Sequence, residues 1–132
     1  MQAYSHTSHA VRITVNPMYL ESQSTPEDNQ FLWAYHVRIE NLGDECLQLR
    51  KRYWKITDAL GRSQEVWGDG VVGEQPYLNP GETYEYTSGT PLSTSSGIMV
   101  GFYIMEKKNG EKIEIDIPAF SLDSPHDLVS VH

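Results

Sequence analysis

The sequence predicts an all-β fold, a seven-stranded antiparallel sandwich. Three observations predict it. Apolar side chains recur at every second position in run after run. Gly, Pro, Asn and Asp residues separate those runs. No segment places apolar residues at the three- and four-residue spacing of a helical stripe. Side chains on a strand point alternately to opposite faces, so period-two apolarity buries one face and leaves the other to water.

The first run is Val11, Ile13 and Val15, alternating with Arg12 and Thr14. The polar stretch Ser22–Asn29, holding Pro26, reads as a loop. Phe31, Trp33, Tyr35, Val37 and Ile39 then form the buried face of a second strand, whose later even positions, His36, Arg38 and Glu40, face water. Residues 46–57 and 62–67 supply two more strands, joined by the turn Asp58-Ala59-Leu60-Gly61. In the first of these the apolar phase slips between Leu47/Leu49 and Trp54/Ile56, which predicts a bulge near Arg50–Tyr53. Asn79-Pro80-Gly81 is a turn, because proline fixes φ and glycine accepts unusual dihedrals. Tyr84 and Tyr86 mark the fifth strand, and Thr90–Gly97 reads as a loop. Ile98, Val100, Phe102 and Ile104 are the expected core set of the sixth. Asn109-Gly110 is a hairpin signal, since both residues tolerate positive φ. Ile113, Ile115 and Ile117, alternating with Lys112, Glu114 and Asp116, complete the seventh.

Short strands with regular turn signals suggest a sandwich of fibronectin type III or immunoglobulin kind. The Cys–Trp–Cys pin of antibody domains is missing, which favours the fibronectin type III variant. A small closed barrel is the alternative. One domain over residues 1–132 is expected, with an ordered core at about 11–122 and the first ten and last eight residues loosely ordered.

Composition narrows the function. With Cys46 as the one cysteine, no internal disulfide and no zinc-binding cysteine cluster can form. Cys46 reads as a small buried hydrophobe. The net charge of −8, from 18 acidic and 10 basic residues, argues against nucleic acid as a partner. Met1-Gln2-Ala3-Tyr4-Ser5-His6 lacks the basic start and apolar run of a signal peptide. No stretch approaches the eighteen or so apolar residues of a membrane span. A cytoplasmic location, with no membrane partner, is expected.

Gly68-Asp69-Gly70-Val71-Val72-Gly73 spells G-x-G-x-x-G, the dinucleotide fingerprint. That fingerprint needs a strand turning into a helix whose N-terminus receives the pyrophosphate. Here Pro76 and Pro80 follow within a few residues and prevent a useful helix, and Asp69 and Glu74 repel phosphate. No cofactor is therefore expected. The segment reads either as a connection with unusual backbone dihedrals or as an exposed loop whose bare amides meet a partner or anion. Arg50-Lys51-Arg52-Tyr53-Trp54-Lys55 interleaves cations with aromatics. Solvated cations on one face with Trp54 packed inside explain it best, yet Arg52 and Trp54 stand as candidate partner-binding residues beside the glycine segment. The scattered histidines 6, 9, 36, 126 and 132 form no metal site, although the His6/His9 spacing could chelate weakly. His36 is expected half exposed. No nucleophile elbow is present, and the carboxylates read as solvated strand faces, so no catalytic residue is assigned.

Several strings together are similar to the ApaG family: Tyr19-Leu20-Glu21-Ser22-Gln23-Ser24, Ala34-Tyr35, Ile39-Glu40-Asn41, Arg52-Tyr53-Trp54, Ile56-Thr57-Asp58, Gly68–Pro76, Pro80-Gly81-Glu82, Tyr86-Thr87-Ser88-Gly89 and Ile117-Pro118-Ala119-Phe120. The resemblance covers roughly residues 11–122. It implies a fibronectin type III-like sandwich in a small bacterial cytoplasmic protein without an established enzymatic activity. It also implies genetic links to cobalt tolerance and magnesium efflux, and a gene beside a diadenosine tetraphosphate hydrolase. Related domains in eukaryotic F-box proteins and a polymerase-interacting protein mediate protein contacts. The resemblance carries over no catalytic residue, and it makes the Gly68–Gly73 loop the family hallmark. The expected function is a non-enzymatic module binding an unidentified protein, with homodimerisation through sheet edges open. The alternative is a sensor of a small anion (nucleotide or pyrophosphate) or of a divalent metal, acting through Gly68–Gly73.

Overall fold

A computed structural model of the chain describes residues 3–126. The elements run β1 (Tyr4–Ser8), β2 (Val11–Tyr19), two single 3₁₀ turns at Glu21–Gln23 and Pro26–Asp28, then β3 (Phe31–Asn41) and β4 (Leu47–Asp58). β5 (Ser63–Asp69), β6 (Tyr77–Leu78), β7 (Thr83–Leu92), β8 (Gly97–Lys107) and β9 (Lys112–Leu122) follow. One sheet has the order β1-β2-β3-β7. The other has the order β5-β4-β8-β9, with β6 also paired to β4. Every named strand pair is antiparallel. The two sheets face each other as a sandwich.

The alternation reads out as expected on β2, β3 and β9, save that Glu40, expected to face water, is buried. Val11, Ile13 and Val15, the odd positions from Phe31 to Ile39, and Ile115 and Ile117 are buried. They pack with Leu49, Trp54, Met99, Tyr103, Met105, Phe120 and Leu122 in one cluster. The bulge appears where the phase slips: the β4–β8 register shifts between Leu49 and Lys51. Asp58–Gly61 closes its turn with the Gly61 amide on the Asp58 carbonyl at 3.1 Å, and Lys107–Gly110 likewise at 3.0 Å. The Ser22–Asn29 loop is ordered as the two 3₁₀ turns.

Further expectations need correction. The Thr90–Gly97 loop is shorter than expected, since β7 runs on to Leu92 and β8 begins at Gly97. Among the described residues nine strands replace seven, the additions being β1 and β6. Of the first ten residues, the described ones are not loose: Tyr4–Ser8 pairs with Val15–Val11, and the Tyr4 ring lies 6.1 Å from that of Phe120. The reversal uses His9 and Ala10 at φ 50° and 59°. No glycine or asparagine announces that turn, so the sequence hides it. On β8 the phase is inverted. Met99, Tyr103 and Met105 face the core opposite Ile56, Arg52 and Leu49, whereas Ile98 and Val100 are exposed. Both faces of β8 are apolar, so alternation cannot choose between them. Cys46 is half-buried rather than buried. Of the last eight residues, Pro125 and His126 are described, and the expectation for residues 127–132, including His132, lies outside the described residues.

Candidate functional site

β5 ends at Asp69, and the chain does not enter a helix. The Gly70 amide donates to the Arg50 carbonyl at 2.8 Å. Val71 and Glu74 then exchange two backbone hydrogen bonds, at 2.8 and 2.9 Å, around Val72 and Gly73. Val72 lies at φ 48° and Gly73 at φ 80°. Positive φ at both central residues makes this a two-residue hairpin turn of the type I′ class. Glycine suits such a position, whereas β-branched Val72 is an outlier there, at a cost of roughly 1–3 kcal/mol.

The surroundings hold the strained turn in place. Val71 is fully buried in the core. The Tyr84 hydroxyl, from β7 in the opposite sheet, donates to the Glu74 carboxylate at 2.7 Å. That hydrogen bond, together with burial and the Glu74 charge, pushes the Tyr84 phenol up to about 12. The Gln75 side chain donates to the Arg50 carbonyl at 3.1 Å. Gly70 is tightest of all, since a Cβ there would stand 2.0 Å from the Glu74 carbonyl oxygen.

Arg52 belongs to the same device. Its guanidinium donates to the Asp69 carbonyl at 3.2 Å and the Gly70 carbonyl at 2.9 Å. It lies so close over Gly68 that a Cβ there would be 2.6 Å from it. Trp54 is in the core, edge-on to Tyr35 and Phe120 at 5.5 and 5.8 Å. The structure therefore gathers Arg52 with Gly68–Gly73 and places Trp54 and Val71 inside. Asp69, Val72 and Gly73 remain exposed. The amides of Gly70, Val71 and Glu74 are hydrogen-bonded within the protein, and the segment closes as a hairpin turn rather than as the helix N-terminus that receives a pyrophosphate.

Several other ionisable groups are committed to pairs, on the surface and inside. His36, half-exposed on β3, bonds Thr87 at 2.8 Å and Glu85 at 2.7 Å. Arg12 grips the buried Glu40 with two bonds of 2.8 and 2.9 Å, which holds that carboxyl below its usual range. The Tyr86 and Tyr103 hydroxyls bond each other in the interior, and burial raises both phenols. A shallow groove of about 430 Å³ between Phe31, Leu32, Gln64, Pro91 and Leu92 has no ionisable side chain in its lining. Among the described residues, no three His, Cys, Asp or Glu are gathered as a metal site.

The feature that sequence reasoning missed is the outer face of the five-stranded sheet. Tyr53, Trp67 and Phe102 come together there from β4, β5 and β8. Their ring centroids are 4.7 Å (Tyr53–Trp67), 4.9 Å (Tyr53–Phe102) and 5.6 Å (Trp67–Phe102) apart. Trp67 is 60% exposed, Ile98 52% and Val100 37%, so the cluster extends as an open apolar patch. The Tyr53 hydroxyl donates to Glu65 at 2.8 Å, and that bond raises the phenol pKa. Exposed Lys51 and Lys55 share the outer face of β4 with Tyr53. The missed signal was the phase of β8: with Met99 and Tyr103 inward, Phe102 and Val100 must point out.

Residues 21–107 match the family described as the ApaG domain. Protein ApaG of Rhodospirillum centenum is 63% identical over 123 residues, covering 93% of this chain and 95% of the relative. Protein ApaG of Parvibaculum lavamentivorans is 60% identical over 129 residues, covering 98% and 99%. Among solved structures, a protein described as ApaA from Bordetella pertussis superposes with a TM-score of 0.85 at 48% identity, covering 87% of this chain and 94% of that one. The C-terminal domain of wzt reaches a TM-score of 0.56 at 10% identity, covering 92% and 77%, which is a likeness of fold alone.

Proposed function

This chain belongs to the ApaG domain family, and on that premise we propose that it is a non-enzymatic binding module that mediates protein–protein interaction in the bacterial cytoplasm. The observation supporting this reading is the exposed Tyr53–Trp67–Phe102 cluster, continued by Ile98 and Val100. Aromatic side chains supply large contact area at low entropic cost and anchor protein interfaces. Contiguous apolar surface rimmed by charge marks such sites. The rim is present as Lys51 and Lys55 on β4 and Glu114 and Asp116 on β9. Any effect on cobalt tolerance or magnesium efflux then runs through the partner, in keeping with the ungathered His, Cys, Asp and Glu side chains among the described residues.

In-cell photo-crosslinking tests the reading. A photoreactive residue at Ile98 should yield a discrete heterologous adduct, and one at Arg38, on the other sheet, should not. Equal labelling from both positions, or none from Ile98, refutes it. The rival reading is an anion or divalent-metal sensor at Gly68–Gly73. Its loop amides at Gly70, Val71 and Glu74 are already hydrogen-bonded. Calorimetry with pyrophosphate, a dinucleoside polyphosphate, cobalt and magnesium discriminates: saturable heat with a raised melting temperature supports the sensor, and its absence at millimolar ligand removes it.

A further inference from the structure

The rims of the two sheets are β1 and β7 on one, and β5 and β9 on the other. Natural edges are protected by shortness, proline, bulges or charge, because a free edge is a template for another strand. β1 has five residues. β7 contains Pro91 and Gly89. β9 contains Pro118, beside a break in its register with β8 between Met99 and Gly101. β5 has neither proline nor bulge, and what guards it is charge of one sign, Glu65 and Asp69, which a basic segment would neutralise. Its seven residues pair with β4 without interruption from Lys51↔Asp69 to Thr57↔Ser63. Its centre, Val66-Trp67, is of high strand propensity. All its residues except Gly68 are exposed, and among the described residues no strand pairs with its outer side.

We propose that β5 accepts an extended segment of a partner protein as an added antiparallel strand, and that this segment carries the pattern basic–x–apolar–x–basic. The inference rests on the binding-module reading and specifies its geometry. Four side chains of β5 lie on the outer face: Ser63, Glu65, Trp67 and Asp69. Directly opposed residues on neighbouring strands interact across the pair, favourably for opposite charges. Residues opposite Glu65 and Asp69 should therefore be cations, and the one opposite Trp67 should be apolar, extending the cluster with Tyr53 and Phe102. Lys55 and Lys51 already stand opposite Glu65 and Asp69 on the β4 side. No ion pair joins them among the described residues: the Glu65 carboxylate takes the Tyr53 hydroxyl instead. A basic added strand continues the alternation of charge across the face. Main-chain bonds would supply affinity and the alternate side chains specificity, as in other strand-addition complexes.

The charge pattern disfavours a second copy as the occupant. Pairing β5 antiparallel with itself about Val66 sets Glu65 against Trp67 and Ser63 against Asp69. It brings no cation to any of the four carboxylates, and each chain carries a net charge of −8.

The test is a titration of the isotopically labelled full chain with a short acetylated peptide centred on lysine–threonine–valine–threonine–lysine. We expect saturable amide shifts confined to Ser63–Asp69 and their β4 partners, with a change in Trp67 fluorescence. The double variant Glu65→Lys, Asp69→Lys should weaken this peptide by about fivefold or more. It should instead bind the peptide with glutamates in place of lysines. Methylating alternate peptide nitrogens should abolish binding. No binding at millimolar peptide, binding indifferent to methylation or to charge reversal, or a peptide-free dimer protecting the β5 amides would each overturn the proposal. A heterologous crosslink at Ile98 that survives such a result would leave the binding-module reading standing and remove only the strand-addition geometry.

Discussion

Replacing Gly70 by alanine adds one methyl group at the most crowded point of the hairpin. That methyl would stand 2.0 Å from the Glu74 carbonyl oxygen and 2.8 Å from its carbon. The turn must open by more than about 1 Å to admit it, given normal carbon–oxygen separations. Opening disrupts the two Val71–Glu74 backbone bonds, each worth about 1 kcal/mol net. Holding alanine at φ 59° costs about 1–2 kcal/mol more. The expected loss is about 3–4 kcal/mol, a large part of the stability of a domain this size. Gly73→Ala is the matched control: φ is again positive, at 80°, but nothing lies within 4 Å of the new methyl. Its expected loss is about 1–2 kcal/mol. Urea unfolding followed by tryptophan fluorescence measures both. Equal losses within about 0.5 kcal/mol would refute the close-approach argument and reduce both glycines to their dihedral freedom.

Val72→Asn creates an Asn-Gly pair at the two positive-φ positions and removes only an exposed side chain. It should stabilise the chain by about 1 kcal/mol, read from the same urea curves; a destabilised variant contradicts the strained-turn assignment. Tyr84→Phe deletes the hydroxyl on Glu74 and should cost about 0.5–1.5 kcal/mol. The raised phenol contributes stability that is complete below the ordinary tyrosine pKa near 10 and is lost as pH climbs towards about 12. Alkaline titration should therefore show a smaller stability loss in the phenylalanine variant than in the parent. Glu40 titrates the opposite way. Its depressed pKa, caused first by the Arg12 hydrogen bond, gives stability present above the ordinary carboxyl range and lost as pH falls through the lowered value. Arg12→Ala should lower the urea midpoint at pH 7 and flatten its decline below about pH 4.5.

Much of the fold was legible from residue patterns. Ile113–Ile117 declares its face because apolar and polar residues alternate cleanly, Phe31–Ile39 because its large apolar side chains hold every odd position, and the phase slip between Leu49 and Trp54 exposed the bulge. Where local information ran out, the reading did too. β6 is two residues long, too short for any period. The His9-Ala10 reversal carries no turn chemistry. β8 is apolar on both faces, so its inward set was decided by register against β4. Within the glycine segment, prolines downstream sufficed to dismiss a nucleotide helix. Nothing local could announce that Arg52 clamps the loop or that Glu74 takes a bond from Tyr84 in the other sheet.

Period-two burial, turn residues and low cation content determined from sequence alone that this chain is a β-sandwich with acidic character. Only the tertiary structure decided which side of β8 meets solvent, and hence that Tyr53, Trp67 and Phe102 form one exposed patch. The physical reason is range: a strand's alternation is written in neighbouring residues, whereas a surface assembled from β4, β5 and β8 depends on pairing register between segments far apart in the chain.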